Sequence, residues 1–256
     1  MGKVIAIINQ KGGVGKTTTA VNLSACLAFK GKNVLLIDSD AQGNATSGLG
    51  IDRNKIELSV YDCLVDDKQI NNAILKTKYK NLSVLPAAQE LSAAEIELGY
   101  EEKREFFVKK AISHIKDSYD YIIIDSPPAL GLLTINIMTA SDTVLIPIQC
   151  EYYALEGLAQ LINTIKSIKK SLNKALDIEG ILATMYDKRT NLSEQVYNEV
   201  KEHFPDKTYN TVIPRNVRLS EAPSFGEPII KYDITSVGAE AYFSLAREII
   251  EKNKTK

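Results

Sequence analysis

Near the start of the chain a short apolar run, Val4–Ile8, leads into Gln10-Lys11-Gly12-Gly13-Val14-Gly15-Lys16-Thr17-Thr18, and a helical pattern follows over Thr18–Lys30. A strand, a glycine-rich turn and a helix in that order leave few folds open. The glycines let backbone N–H groups curl around an anion, and the helix N-terminus adds the positive end of its dipole. In a phosphate-binding loop of this kind Lys16 reaches the β- and γ-phosphates, and the Thr17 hydroxyl ligates Mg²⁺. A glycine-rich turn with two solvated lysines would not require strand, loop and helix to arrive in sequence. The general pattern asks for glycine where Gln10 stands, and here a second lysine, Lys11, precedes the Gly-Gly pair instead.

Elsewhere, short apolar runs ending in small or acidic residues alternate with amphipathic stretches. Val34–Asp38, Leu82–Leu85, Tyr121–Asp125, Thr143–Ile148 and Gly180–Met185 read as further strands. Most lack polar alternation, as parallel strands covered on both faces do. Glu105–Lys116 and Leu155–Leu172 carry apolar residues at helical spacing. The alternation predicts an α/β fold, a single-domain, doubly wound, mostly parallel sheet flanked by helices. Gly31 stands where a helix C-terminal cap belongs. Thr208–Ile213 reads as one more strand ending at Pro214, and Ala239–Ile250 as a closing helix with Tyr242, Phe243, Ala246, Ile249 and Ile250 on one stripe. Asp52–Lys80 shows no clear period. With 256 residues, 45% of them apolar, one large core is feasible. No repeat or linker marks a boundary, so residues 1–250 are expected to form one domain and 251–256 a charged, fraying tail.

Composition narrows the chemistry. Cys26, Cys63 and Cys150 are far apart and show no C-x-x-C spacing, so they read as small buried hydrophobes. His114 and His203 fall in polar helical stretches, and no metal cluster of nitrogen or sulfur ligands assembles from the sequence. No apolar run approaches the roughly 18 residues a bilayer demands, and MGKVIAIINQ is too short for a secretory signal, so a cytoplasmic protein is expected. A net charge of −1 excludes a uniformly basic surface but leaves room for a local patch facing phosphates.

Two runs complete the site. VLLIDSD places Asp38 at the end of a strand with Asp40 just beyond it, and YIIIDSPP ends a second strand in Asp125. Carboxylates at the C-terminal ends of parallel strands lie at the same edge as the phosphate loop.

The loop KGGVGKT resembles the deviant Walker A motif of the ParA/MinD branch of P-loop ATPases. Longer stretches narrow that resemblance: DAQGNATSGLG (Asp40–Gly50), PIQCEYYALEG (Pro147–Gly157), TMYDKRT (Thr184–Thr190) and TVIPRNVRLSEAPSFGEP (Thr211–Pro228) look like chromosomal ParA proteins of the Soj type. The resemblance implies ATP and Mg²⁺ as cofactors, bound by Lys11, Gly12, Gly13, Val14, Gly15, Lys16, Thr17 and Thr18. It implies that Asp38 and Asp125 support Mg²⁺ and its waters, that Asp40 orients the attacking water, and that Met185, Pro214 and Asn216 line the adenine pocket. Arg189 and Arg218 match positions where the family places basic residues for non-specific DNA contacts, and Lys166, Lys169 and Lys170 read as a solvated helix face.

By the same resemblance, Lys11 crosses the interface of an ATP-bound homodimer and contacts the phosphates of the other subunit. The implied activity is slow ATP hydrolysis stimulated by a ParB-type centromere-binding partner, with duplex DNA bound non-specifically on the nucleoid during chromosome or plasmid segregation. Since the phosphate-loop strand begins at Val4, no additional N-terminal DNA-binding domain is expected. A MinD-like membrane-positioning ATPase is the alternative. It would carry an amphipathic helix beyond the fold, whereas EKNKTK has no apolar face and no membrane is expected as partner. An electron-transfer ATPase like the nitrogenase iron protein would need a second cysteine to join Cys150 at a shared cluster.

Overall fold

Isoleucine, valine and leucine fill the central strands and leave no polar alternation, which suits strands buried on both faces. A computed structural model describing residues 2–151 and 154–254 bears this out. Tyr152 and Tyr153 of the Pro147–Gly157 stretch, and the last two residues of the tail, lie outside the described residues. The strands β1 (Lys3–Ile7), β2 (Val34–Asp38), β3 (Leu75–Lys76), β4 (Leu82–Leu85), β5 (Tyr121–Asp125), β6 (Thr143–Gln149) and β7 (Asp177–Thr184) form one sheet ordered β3-β4-β2-β5-β1-β6-β7. Every ladder is parallel except the short β3–β4 pair at one edge, which the sequence had not suggested.

Alternate side chains of each strand feed two cores. Val4, Ala6, Leu35, Ile37, Ile122, Ile124 and Ile146 face one, packed beneath helices that contribute Ile112, Ile137, Leu161, Ile165 and Val196. Ile5, Ile7, Leu36, Ile123 and Leu145 face the other, under the phosphate-loop helix Lys16–Phe29 and the closing helix Val237–Lys254. Gly31, at φ +83, caps the phosphate-loop helix as expected. The three cysteines are free and buried, and both histidines are exposed.

Three stretches depart from expectation. Thr208–Ile213 makes only isolated bridges beside β7, Ile181 to Thr208 and Tyr186 to Pro214. The reason lies in the closing helix: the Asn210 and Thr211 N–H groups donate to the Glu248 carboxylate at 2.9 and 3.1 Å, and so leave the ladder. Glu105–Lys116 is helical over Phe107–Ser113, with single 3₁₀ turns on either side. The charged Glu251–Lys254 stretch continues the closing helix, where Lys252 Nζ and Asn253 Nδ2 both donate to Glu179, to its carbonyl and its carboxylate respectively. Among the described residues no helix is long and apolar enough to cross a membrane.

Candidate functional site

The phosphate loop occupies the turn between β1 and its helix. Gly13 and Gly15 adopt φ of +75 and +86, the left-handed region that a side chain resists. A Cβ on Gly12 or Gly13 would meet nothing within 4 Å, so an open cradle faces this edge of the sheet. Gly15 caps the helix without any side-chain acceptor, and the first turn holds no acidic residue. Its leading N–H groups and its dipole are therefore available to an anion.

Lysines flank the cradle. Lys16, 7% exposed, folds its Nζ back to the Lys11 carbonyl at 3.1 Å. Burial lowers its pKa, while the charges of Asp125 and Asp40 oppose that shift. Lys11 N–H donates to Asn9 Oδ1 at 2.9 Å, and Asn9 Nδ2 donates to the Pro147 carbonyl, tying the loop to the end of β6. The Lys11 ammonium itself pairs with Glu151 Oε2 at 2.6 Å. On the far side of the loop the Thr184 hydroxyl, at the end of β7, bonds the Val14 carbonyl at 2.8 Å.

β5 lies between β2 and β1, so Asp38 and Asp125 sit opposite one another in register, and Asp125 also pairs with Ile7. Both are fully buried. Asp38 Oδ2 accepts from the Thr46 N–H and hydroxyl, each at 2.7 Å, and these bonds offset part of the upward pKa shift that burial imposes. Among the described residues neither Asp125 oxygen accepts a hydrogen bond of good geometry, although the Thr17 hydroxyl lies close enough to favour its charged form. Burial, then the Asp38 charge, pushes its pKa well above the usual carboxylate range, and the neighbouring Thr17 hydroxyl and Lys16 pull against that. Asp40 lies just past β2, where its N–H donates to Asp38 Oδ1 and its own Oδ1 accepts the Gln42 N–H at 3.0 Å.

An orphaned buried carboxylate beside a hydroxyl and an open anion cradle suits a hard divalent cation. Among the described residues no cluster of three or more His, Cys, Asp or Glu exists that could cage one. A cation here would therefore complete its shell from water and phosphate oxygens, as Mg²⁺ does.

Met185, Pro214 and Asn216, far apart in sequence, converge with Gly15, Thr18 and Thr184 around a cavity of about 480 Å³ next to the cradle. Met185 is held at φ +50, a conformation unusual for a non-glycine residue. Asn216 Oδ1 accepts the Arg218 N–H at 2.7 Å and so starts the short helix Val217–Glu221.

The two arginines are exposed but not free. Arg189 makes a two-pronged contact to Asp187, at 2.9 and 2.7 Å, which holds that carboxylate well below its ordinary pKa. Arg218 pairs with Glu221 at 3.0 Å and stacks over Tyr232. Arg189 shares a groove of about 870 Å³ with Lys188, Arg215 and Arg247, whereas Arg218 is not among its walls. Lys166, Lys169 and Lys170 are exposed on the helix Ala154–Ser171.

Sequence reading gave no role to Asn9, Thr46, Glu151, Arg215 or Arg247. Thr46 and Glu151 each stood inside one of the quoted stretches, and Arg215 beside the two residues assigned to the adenine pocket. Asn9 and Arg247 carried no local signal.

A family model described as AAA domain matches residues 2–178. The sporulation initiation inhibitor protein Soj of Bacillus subtilis is 63% identical over 249 residues, spanning 97% of this chain and 98% of that protein. The chromosome partitioning protein ParA of Caulobacter vibrioides is 51% identical over 254 residues, spanning 98% and 95%. Among solved structures, a cobyrinic acid a,c-diamide synthase from Mycobacterium smegmatis with bound ATP analog and magnesium superposes with a TM-score of 0.86 at 35% identity, over 99% of this chain and 96% of that one.

Proposed function

The chain belongs to the ParA/Soj family of chromosome-partitioning ATPases, and from that premise we propose that it is an ATP-controlled dimerising switch that binds DNA without reading its sequence. The observation that carries the proposal is the open phosphate cradle with Lys11 ahead of it and Asp38 and Asp125 side by side at the same sheet edge. ATP is the substrate. Its triphosphate lies in the cradle of Lys11–Thr18 with Lys16 on the β- and γ-phosphates, and its adenine fills the cavity of Met185, Pro214 and Asn216. Thr17, with Asp38 and Asp125 behind it, holds Mg²⁺, which supplies charge neutralisation on the phosphate oxygens. Asp40, whose Oδ1 is already engaged by Gln42, turns its other oxygen to the attacking water. Lys11 crosses a two-fold interface and opposes the charge that develops on the phosphates bound by the other subunit.

Dimerisation doubles whatever basic surface one subunit carries, so DNA affinity rises through avidity. The groove around Lys188, Arg189, Arg215 and Arg247 supports this reading, with Arg218 as a further phosphate contact nearby in sequence to the adenine pocket. Hydrolysis removes the γ-phosphate that Lys11 requires, and a ParB-type partner accelerates that step on the nucleoid. Residues 1–250 act as the ATPase domain, with 251–256 as a charged tail. A membrane-seated alternative gains no support, because Tyr242, Leu245, Ala246 and Ile249 of that helix are spent in the core.

The test is binding of arbitrary duplex DNA by purified protein with ATP, ADP or no nucleotide, across a salt series. ATP-dependent binding that weakens steeply with salt, and is lost in Lys16→Ala and reduced in Arg189→Ala and Arg218→Ala, is expected. ATP-driven dimers that ignore DNA at low salt would refute the DNA reading and leave the ATPase standing.

A further inference from the structure

Lys11 is not idle in the free subunit. Its ammonium lies 2.6 Å from Glu151 Oε2, with both side chains about half exposed. Beside that pair the residues leading into the phosphate loop are fastened at two other points, to β6 and to the helix Ala154–Ser171. Asn9 Nδ2 donates to the Pro147 carbonyl at 2.7 Å, and Gln10 Nε2 donates to Gln160 Oε1 at 3.1 Å. Those two contacts involve uncharged groups and leave the Lys11 side chain free to move. Among the described residues the ion pair with Glu151 is the contact that orients the ammonium.

We propose that Glu151 is a positioning residue that holds Lys11 in the free subunit, so that each dimerisation event must first break a Lys11–Glu151 pair in each subunit. The inference rests on the in-trans role given to Lys11 above. A lysine paired within its own chain cannot at the same time reach the phosphates of a second chain, so the pair competes directly with dimer closure. An exposed ion pair biases such an equilibrium by about two- to fivefold. Two pairs break per dimer, so the opposing factor is on the order of 4 to 25 in the dimer dissociation constant. Glu151 thereby sets a threshold against closure without touching the cradle.

Two readings on the full chain test this. The first is the rate at which Lys11 is acylated in nucleotide-free protein, located by peptide mass spectrometry. Glu151→Gln is expected to raise that rate about twofold or more, and Glu151→Asp, which keeps the charge, to leave it nearer wild type. The second is the ATP concentration and protein concentration at which dimers form, followed by light scattering. Glu151→Gln is expected to dimerise at about 4- to 25-fold lower protein concentration, with nucleotide affinity of the monomer unchanged. If the wild type dimerises but Glu151→Gln does so no more readily, or Lys11 labels no faster, the latch is overturned and the dimeric switch survives. A wild type that stays monomeric with ATP overturns the switch and the latch's role with it.

Discussion

Gly180, within β7, packs against Tyr209, which leads into the segment that lines the proposed nucleotide cavity, and replacing the glycine with alanine should damage both sheet and cavity. A Cβ built there would lie 2.3 Å from Cε2 and 2.6 Å from Cζ of Tyr209. That ring cannot yield easily. It is 2% exposed, and its backbone N–H is bonded to the Ile181 carbonyl, with Tyr197 Oη donating to its own carbonyl. Overpacking of this kind costs about 1–3 kcal/mol, offset by about 0.5 kcal/mol from removing a strand glycine. For a chain this long each kcal/mol moves the thermal midpoint by about 2–4 °C, so the net cost of about 0.5–2.5 kcal/mol predicts a fall of roughly 1–10 °C. The displacement also propagates. Tyr209 leads into the segment that hangs on β7 through the Ile213 N–H to the Ala183 carbonyl and that brings Pro214 to the cavity. A bias of about 1 kcal/mol against that placement weakens nucleotide binding about fivefold. Calorimetry with and without nucleotide on the wild type, Gly180→Ala, Tyr209→Leu and the double variant would read both effects. Removing the ring should absorb the added methyl, so the double variant is expected to lose at least about 1 kcal/mol less than the sum of the singles. An unchanged midpoint for Gly180→Ala, or strictly additive costs, would refute the reasoning.

Two further outcomes follow from charge. Asp125 has its pKa raised in the folded state, so the stability it contributes is present below the unfolded carboxylate value, about 4, and is lost as pH rises through the folded value. Asp125→Asn should therefore melt higher than wild type without nucleotide at neutral pH, with the gap closing toward pH ~4, and should lose Mg²⁺-dependent stabilisation by nucleotide. A lower midpoint for the nucleotide-free variant would count against this. Asp187→Asn should free the Arg189 guanidinium from its two-pronged partner. DNA affinity is then expected to rise about two- to fivefold, whereas Arg189→Ala should flatten the salt dependence by about one counterion. A filter-binding salt titration that finds Asp187→Asn no tighter would contradict it.

Much of the site was legible because its parts are local. The loop Lys11–Thr18 carries Gly12, Gly13 and Gly15 close together in one short run, and Asp38 and Asp125 each end an unbroken apolar run. What escaped was decided by distant partners or by burial. The helix Leu132–Ala140 is covered on several sides, with Leu133, Thr134, Asn136, Ile137 and Met138 all buried, so no polar face imposes a period on its sequence. Thr208–Ile213 has strand-like composition, yet its ladder is cut by Glu248, some forty positions further on. Glu151 meets Lys11 across 140 positions. No periodicity or motif encodes such a pairing.

The free subunit is a preformed cradle with its charges provisionally satisfied. Gly13 and Gly15 already hold the loop in its anion-binding shape, so binding asks little of the backbone. The charges are another matter. Lys16 rests on the Lys11 carbonyl and Lys11 on Glu151, while Asp125 accepts no well-formed hydrogen bond among the described residues. A polyphosphate with its cation replaces the first contact and adds a second positive neighbour for Asp125 beside Lys16. Those gains depend on the cradle and on the phosphates nearest the helix, which any nucleoside di- or triphosphate provides. Displacing Lys11 from Glu151 is different, since it needs a competing anion within reach of a partner chain's lysine. On the proposed reading the cradle therefore sets affinity, and discrimination between the nucleotide before and after hydrolysis falls to the one side chain that must change partners.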